Sequence, residues 1–537
     1  MKKTMRQHSF ASRLKSLALA FGITLAFASC ANEEIAQNPN GKDYDANLTT
    51  FSTGDPTTRT SMESNGTFYW ESGDKIWVKD DNGAWQQSSN APTEKTASFE
   101  FKVPGKFTKS STYKVYYPGK NGNQDQVSIV ANQSQAEPNT TAHFGTAGDC
   151  GMADAAWSNA KNGFDFTLDH KAAYLLFLPR TSNTILHNCY LTKVEVNSDN
   201  DITSTYTLDP TTGELTGTGT GKRIIVSTGG SGTYANGFPL TNNATSAATN
   251  GAYVVIKPGT HTLKVRYWVK DVVTNVEGTI TKTLSSTTYD QNKYYNITAN
   301  LDVKNYDGDH YYMWDAQQQY WYGYEWTKHL SGNTGQPTLN YNSSSNYAQS
   351  NTDPRYYSEA FTYGVYNPAT HTSCKDLPNV NEMTWYAAKG EPRWDADELW
   401  TTMGHLYKGG MWFKKKANIS GFNPNTAEDG TDWRTSANGR NWSVSQTLPD
   451  AADAGNYFYL PALGWYNSGR LTNVGYQGIY WSSSASSWGS SRAYYLGFIS
   501  GSVTVSDLSR YYGFRAEALQ EFSRLPLYRC RPLKGDT

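Results

Sequence analysis

Between Tyr476 and Arg515 the chain carries few groups that could do acid–base or nucleophilic chemistry and many that could bind. The stretch has no Lys and no Glu; its charges are Arg492, Asp507, Arg510 and Arg515, set among repeated Ser, Gly and Tyr. Hydroxyls buried without partners are costly, so this is not the composition of an apolar core. Tyr and Trp offer wide, rigid contact area, and Ser and Gly offer adaptable hydrogen bonding, which together make the chemistry of an antibody-like combining site. The competing reading is a Ser-rich loop between two ordinary strands. On the binding reading Trp488, Tyr494, Tyr511 and Tyr512 are the aromatic anchors. Around them stand the hydroxyls of Ser484, Ser486, Ser487, Ser490, Ser491, Ser506 and Ser509, with Arg492, Asp507 and Arg510 supplying charge. Trp481 and Phe514 are expected in the core beneath.

Other candidate chemistry is sparse. His329, His371 and His405 lack the i,i+4 spacing of a metal-binding helix, and Cys150, Cys189, Cys374 and Cys530 include no Cys-x-x-Cys pair. Those four cysteines allow three pairings, or none, and their spacing does not choose. Gly217-Thr218-Gly219-Thr220-Gly221-Lys222 is followed by Arg223, where a phosphate-binding loop needs Ser or Thr. Asp307 and Asp309 begin no calcium-ligand series. Asp395 with Glu398 three residues on reads as a capping box for a helix over 395–403 rather than as a catalytic carboxylate pair. No metal, cofactor or enzymatic activity is therefore expected. Charged residues are 18% of the chain and net charge is −1, which leaves no basic footprint for nucleic acid.

The elements that must position such a surface are β-strands. Aromatic residues make up 14% of the 537 residues, with 38 Tyr and 17 Trp, and short β-branched and aromatic runs alternate with Gly and Asp turns. Examples are Lys75-Ile76-Trp77-Val78, Tyr113 to Tyr117, Ala173 to Leu178, Thr262 to Val269 and Tyr294 to Ile297. This length exceeds what one core supports, and no convincing helix precedes residue 300. Two stacked β-sandwich units account for that part economically. Near Lys304 to His310 the composition changes in a linker-like break, and an aromatic-dense region follows.

Several features carry resemblances. Basic residues through Lys15, an apolar run from Leu17 to Ala28 and Ala28-Ser29-Cys30 resemble a bacterial lipoprotein signal, implying cleavage before Cys30 and its acylation; an incidental cysteine after an ordinary cleavage site is the alternative. Thr58-Arg59-Thr60-Ser61, Trp70…Gly73-Asp74-Lys75-Ile76, Phe166 to Ala172 and Lys293 to Ile297 resemble the fimbrillin-like, or type V pilin, family. That resemblance implies proteolytic processing at Arg59, removal of the first strand, and filling of the resulting groove by a strand of another pilin subunit. The alternative is that Arg59 is simply an exposed residue. Beyond residue 310, Gly478-Ile479-Tyr480-Trp481-Ser482-Ser483-Ser484 and Tyr512-Gly513-Phe514-Arg515 resemble the bacterial paralogous domain with a C-type-lectin-like fold. That group includes the variable proteins of diversity-generating retroelements, whose diversified region residues 482–512 resemble. Ala516 to Phe522 looks helical where the family ends in a strand, and Arg529-Cys530-Arg531-Pro532 is the candidate displaced strand.

These readings combine into one expectation. The chain is mostly β: a signal peptide (1–29), a tether (30–46), two β-sandwich pilin-like domains (47–165 and 166–303), a linker (304–310) and an α+β C-type-lectin-like domain (311–537). The expected function is a cell-surface adhesin, a pilus tip subunit that binds a host or bacterial surface glycan or protein, with a precursor anchored in the outer membrane by its lipid. A surface enzyme or polysaccharide-utilisation accessory lipoprotein, and a structural stalk pilin, are the alternatives.

Overall fold

The computed structural model describes residues 48–53, 61–62, 68–306, 308–325, 344–517, 519 and 531–532. Cys30, Arg59 and Cys530 lie outside these residues. The chain is mostly β, and among the described residues no helix is long and apolar enough to cross a membrane. Cys150, Cys189 and Cys374 are buried free thiols.

The N-terminal module is built on one mixed sheet. Its first strand, β1 (Leu48–Ser52), lies between β2 (Glu100–Pro104) and β3 (Gly163–Asp165). β1 runs antiparallel to β2 from Leu48↔Pro104 to Ser52↔Glu100, and parallel to β3 at Phe51↔Phe164 and Ser52↔Asp165. Alternation drives this arrangement: in β2, Phe101 and Val103 point into the core while Glu100 faces water. The core is aromatic, with Phe51 stacked on Phe164 at 5.0 Å and Trp70 edge-on to Phe101 at 4.9 Å.

The expected division at residue 165 is not where strand pairing divides. Gln126–Ile129 pairs with Ser204–Leu208, and Asn132–Gln135 runs parallel to Arg223–Thr228. Val127 and Ile129 bury their side chains in the second core. The side chains of Gln133 and Gln135 then act as surrogate backbone. Gln133 donates to the Val255 carbonyl and accepts from its N–H, at 2.8 and 3.0 Å. Gln135 does the same with the Gly251 carbonyl and the Tyr253 N–H, at 2.9 and 2.7 Å. The polar strand Asn132–Gln135 thus closes one side of the second sandwich. At its centre, the run Ala173 to Leu178 is buried throughout and pairs in parallel with Tyr294–Asn300, as expected of a strand covered on both faces.

Two neighbouring strands, β4 (Leu263–Asp271) and β5 (Glu277–Thr283), carry the sheet onward. Helix α1 (Val380–Lys389) opens with a reciprocal capping box between Asn379 and Glu382. The helix expected at 395–403 is instead strand β6 (Arg393–Thr402), paired with β7 (His405–Lys414) across a bulge between Asp395 and Leu399. The physical reason is tertiary. Asp395 does not cap a helix but accepts from Arg266 at 2.8 Å and from the Trp412 indole at 3.1 Å.

β5 also bridges β6 in parallel at Thr279↔Glu398, so one nine-stranded sheet spans the second sandwich and the C-terminal module. The junction is buried and polar. Arg266 also donates to Thr279 at 2.8 Å, and Glu398 accepts from the Thr281 N–H and hydroxyl at 2.9 and 2.6 Å. Burial, then the neighbouring Asp395, pushes the Glu398 carboxyl up to about 7. The expected linker packs here as well: the Tyr306 N–H donates to the Thr401 carbonyl at 2.8 Å, and the Thr402 hydroxyl to the Tyr306 carbonyl.

Candidate ligand-binding face

The Ser- and Tyr-rich stretch folds into the last strands of the C-terminal module: β8 (Gly478–Ala485), β9 (Arg492–Ile499) and β10 (Ser502–Ser509). β8 and β9 pair from Gly478↔Phe498 to Trp481↔Tyr495, and β9 and β10 from Arg492↔Ser509 to Ile499↔Ser502. Phe514–Arg515 pairs with Tyr311–Tyr312 and closes the sheet. Arg531–Pro532, the candidate displaced strand, instead pairs with Tyr294–Asn300 in the second sandwich. Ala516 and Glu517 are not helical, and most of the remaining segment expected as helix lies outside the described residues.

Five of the residues expected to touch a ligand are buried. Ser484, Ser486 and Ser487 sit inside the module, where their small size lets other loops run close. The Ser484 hydroxyl accepts from the Val380 N–H, the first N–H of α1, at 3.2 Å. Gly364 donates to the Ser487 carbonyl at 2.8 Å, and Ser486 donates to the Arg492 carbonyl at 3.0 Å. Tyr494 is fully buried; its hydroxyl donates to the Ser436 carbonyl at 3.0 Å and holds the 436–438 loop. Arg510 is also fully buried, with its guanidinium 4.6 Å from the Trp314 ring and 5.6 Å from Phe361. It donates to the carbonyls of Ser358 and Ala360 at 2.9 and 3.3 Å, and burial pushes its pKa down to about 10. Arg510 is a positioning residue: it fixes the loop that carries the next aromatics outward.

The remaining positions gather at the surface. Trp488 is 45% exposed and meets Tyr363, 67% exposed, edge to face at 5.2 Å. The Trp488 indole donates to the Thr435 carbonyl at 3.2 Å, which sets the ring's angle. Val365 stands exposed beside this pair in sequence, and Arg434 lies 5.2 Å over the Tyr366 ring. Ser490 and Ser491 are exposed in the turn after Trp488, and the Arg510 N–H donates to the Ser491 carbonyl at 2.8 Å, so this turn abuts the 509–512 turn. There Tyr511 is exposed and packs on half-buried Tyr512 at 4.5 Å, and Tyr512 meets Trp465 at 4.9 Å. Half-buried Arg492 pairs with Asp507 at 3.0 Å, which holds the guanidinium pKa above its usual value. Ser506 and Ser509 are half-buried on β10.

Tyr363 and Val365 are the surface residues that sequence reasoning missed. The signal was present: Phe361, Tyr363 and Val365 alternate with polar or small residues in a strand-like way, yet they lie in a loop with two of the three exposed. The resulting surface combines flat rings, one neutralised ion pair and free hydroxyls. It can bind, but no nucleophile–base pair lies in it. Among the described residues no group of three His, Cys, Asp or Glu side chains is placed to hold a metal ion.

No family model and no curated protein matches the chain. Among solved structures it is similar to a "putative cell adhesion protein" from Bacteroides ovatus, at 14% identity, covering 47% of this chain and 93% of that one with a TM-score of 0.29. A fimbrial assembly protein from Parabacteroides distasonis is similar at 10% identity, covering 47% and 91% with a TM-score of 0.23. The fimbrial anchor protein Mfa2 from Porphyromonas gingivalis is similar at 12% identity, covering 47% and 90% with a TM-score of 0.23.

Proposed function

We propose that the chain is a cell-surface fimbrial adhesin: a tip subunit whose C-terminal module presents the Trp488–Tyr363 face to a surface glycan or protein. The observation that carries this reading is the exposed aromatic pair itself, set by the Trp488 indole's bond to the Thr435 carbonyl and by the Gly364 N–H bond to the Ser487 carbonyl. Large apolar rings kept at a surface by specific contacts favour a binding role, because exposed aromatic groups of this kind dominate recognition hot spots. Replacing Trp488 by alanine is expected to weaken attachment of the full chain to cell surfaces by about 2 kcal/mol, roughly 30-fold. Tyr363→Ala is expected to act in the same direction, and both variants should stay folded with at most a small fall in melting temperature, since the two side chains are 67% and 45% exposed. Flow cytometry with fluorescent full-length protein on mammalian and bacterial cells reads the effect. Equal attachment by both variants would place the binding surface elsewhere.

Assembly partners follow from β1. It is bonded along both edges and ends shortly before Arg59, the proposed processing residue. Loss of β1 would leave β2 and β3 with unpaired edges and uncover the cleft that Phe51 fills, a place for a neighbouring subunit's strand. On this reading the precursor is an outer-membrane lipoprotein acylated at Cys30. Arg59→Ala is expected to leave it full length and unassembled, whereas wild-type protein from fimbriae should begin at Thr60. Assembled subunits that retain Cys30 would refute processing at Arg59.

A further inference from the structure

Away from the Trp488 face, a second concavity of about 480 Å³ opens beside the loops at 322–324 and 349–355. That volume lies within the range of ~300–1,000 Å³ that small-molecule sites occupy. Its walls combine two kinds of group. Tyr322 and Tyr324 are 51% and 39% exposed and supply flat apolar area. Gln349, Thr352 and Asp353 supply polar side chains, with Gln349 exposed and its amide donating to the Ser345 carbonyl at 3.1 Å.

The charge of the site is cancelled internally. The Arg355 guanidinium donates through Nε to both Asp353 carboxylate oxygens at 3.0 and 3.2 Å, and through a terminal nitrogen to one of them at 2.6 Å. Its other terminal nitrogen donates to the Asn346 carbonyl at 2.8 Å, and the group lies 4.4 Å over the Tyr324 ring. Arg355 is therefore spent on fixing the wall and is not offered to an anion. Asp353 is committed as well: besides the guanidinium, the Arg355 N–H donates to one of its oxygens at 2.9 Å, so each oxygen already accepts two hydrogen bonds. A ligand suited to these walls is uncharged, has one face of C–H groups to lie on a tyrosine ring, and has hydroxyls at its rim for the amide and hydroxyl.

We propose that this concavity binds a neutral pyranose sugar, independently of the Trp488–Tyr363 face. Tyr322 provides the platform, the Thr352 hydroxyl meets the sugar's rim, and Gln349 accepts through its amide oxygen and donates through the N–H not used on the Ser345 carbonyl. Arg355 is a positioning residue that holds Asp353 and braces Tyr324.

The test is saturation-transfer NMR on the full chain with the methyl glycosides of glucose, galactose, mannose and N-acetylglucosamine. At least one should receive transfer, strongest at the ring protons of its apolar face and unchanged by added salt. Tyr322→Ala should weaken that binding at least about tenfold, the scale of one lost aromatic face. Tyr322→Phe, which keeps the ring, should retain it, and Gln349→Ala, at an exposed position, should reduce it without touching the fold. Trp488→Ala should leave it unaltered, which separates this site from the proposed adhesive face. Absence of transfer to all four glycosides overturns the proposal, as does transfer that survives Tyr322→Ala. Preferential, salt-sensitive binding of methyl glucuronide would also overturn it, because it would show that an unpaired cation governs the site.

Discussion

Replacing Arg266 by alanine is expected to destabilise the protein by about 3–5 kcal/mol, because it strands Asp395 as a buried charge without its partner. Arg266 and Asp395 are both buried, and the guanidinium spans Asp395 and Thr279 on different modules. The attraction itself is not the main quantity. Desolvating two charges costs nearly as much as their pairing returns, so exchanging both residues for apolar ones of similar size is expected to restore most of the loss. Urea unfolding of Arg266→Ala, Asp395→Leu and the Arg266→Met/Asp395→Leu double variant measures this. A double variant as unstable as Arg266→Ala would contradict it, and so would an Arg266→Ala loss below about 1 kcal/mol, the range of exposed pairs. Hydrogen exchange should place the loss at β5 and β6, since the parallel bridge between Thr279 and Glu398 depends on the same cluster.

Trp481→Ala is the second large effect, expected at about 3–5 kcal/mol from lost burial and the cavity left behind. Trp481 is completely buried, its ring lies 4.1 Å from that of Phe514, and its indole donates to the Tyr312 carbonyl at 2.8 Å. Removing it would empty the layer between β8 and the closing strand and take away its hydrogen bond to the Tyr312 carbonyl. Ligand attachment should then fall through unfolding, with the melting temperature dropping in parallel. Trp488, seven residues along, should give the opposite signature of lost attachment with at most a small fall in stability. If Trp481→Ala melts like the wild type, the assignment of this layer as core is wrong.

The contrast between these two tryptophans shows what the sequence made legible. Trp481 and Phe514 were readable as core because they stand in the motifs that resemble the scaffold of the lectin-like family. The serines beside them were misread, because composition reports polarity and these positions use smallness. Ser484 and Ser487 lie where loops 364–380 press against β8 and its end and bond Val380 and Gly364 there, while Ser486 bonds the Arg492 carbonyl. Tyr494 and Arg510 were misread for a related reason. Each has a long polar side chain whose partners are carbonyls 58 and 152 residues away, and no local pattern announces them. The 395–403 segment failed differently. Asp395 and Glu398 have capping-box spacing, as do Asn379 and Glu382, but the second pair bonds each other's backbone at a helix start, whereas Asp395 is taken by Arg266 and Glu398 by Thr281. The β class was legible throughout because alternation is local, whereas the crossing of residues 126–135 into the second sandwich was not.

β1 also determines how the N-terminal module answers to force. It is held by five residue pairs on the antiparallel β2 side, where hydrogen bonds lie perpendicular to its length, and by two on the parallel β3 side, where they are slanted. Tension applied along such a strand shears those pairs together, whereas tension across it would unzip them one after another. A neighbouring subunit's strand seated in the same place would inherit this geometry, since it would lie along β2 and β3. A filament joined in that way would be stiff and slow to part when stretched end to end. Its weak direction would be sideways, where a bend could peel each joint open from one end.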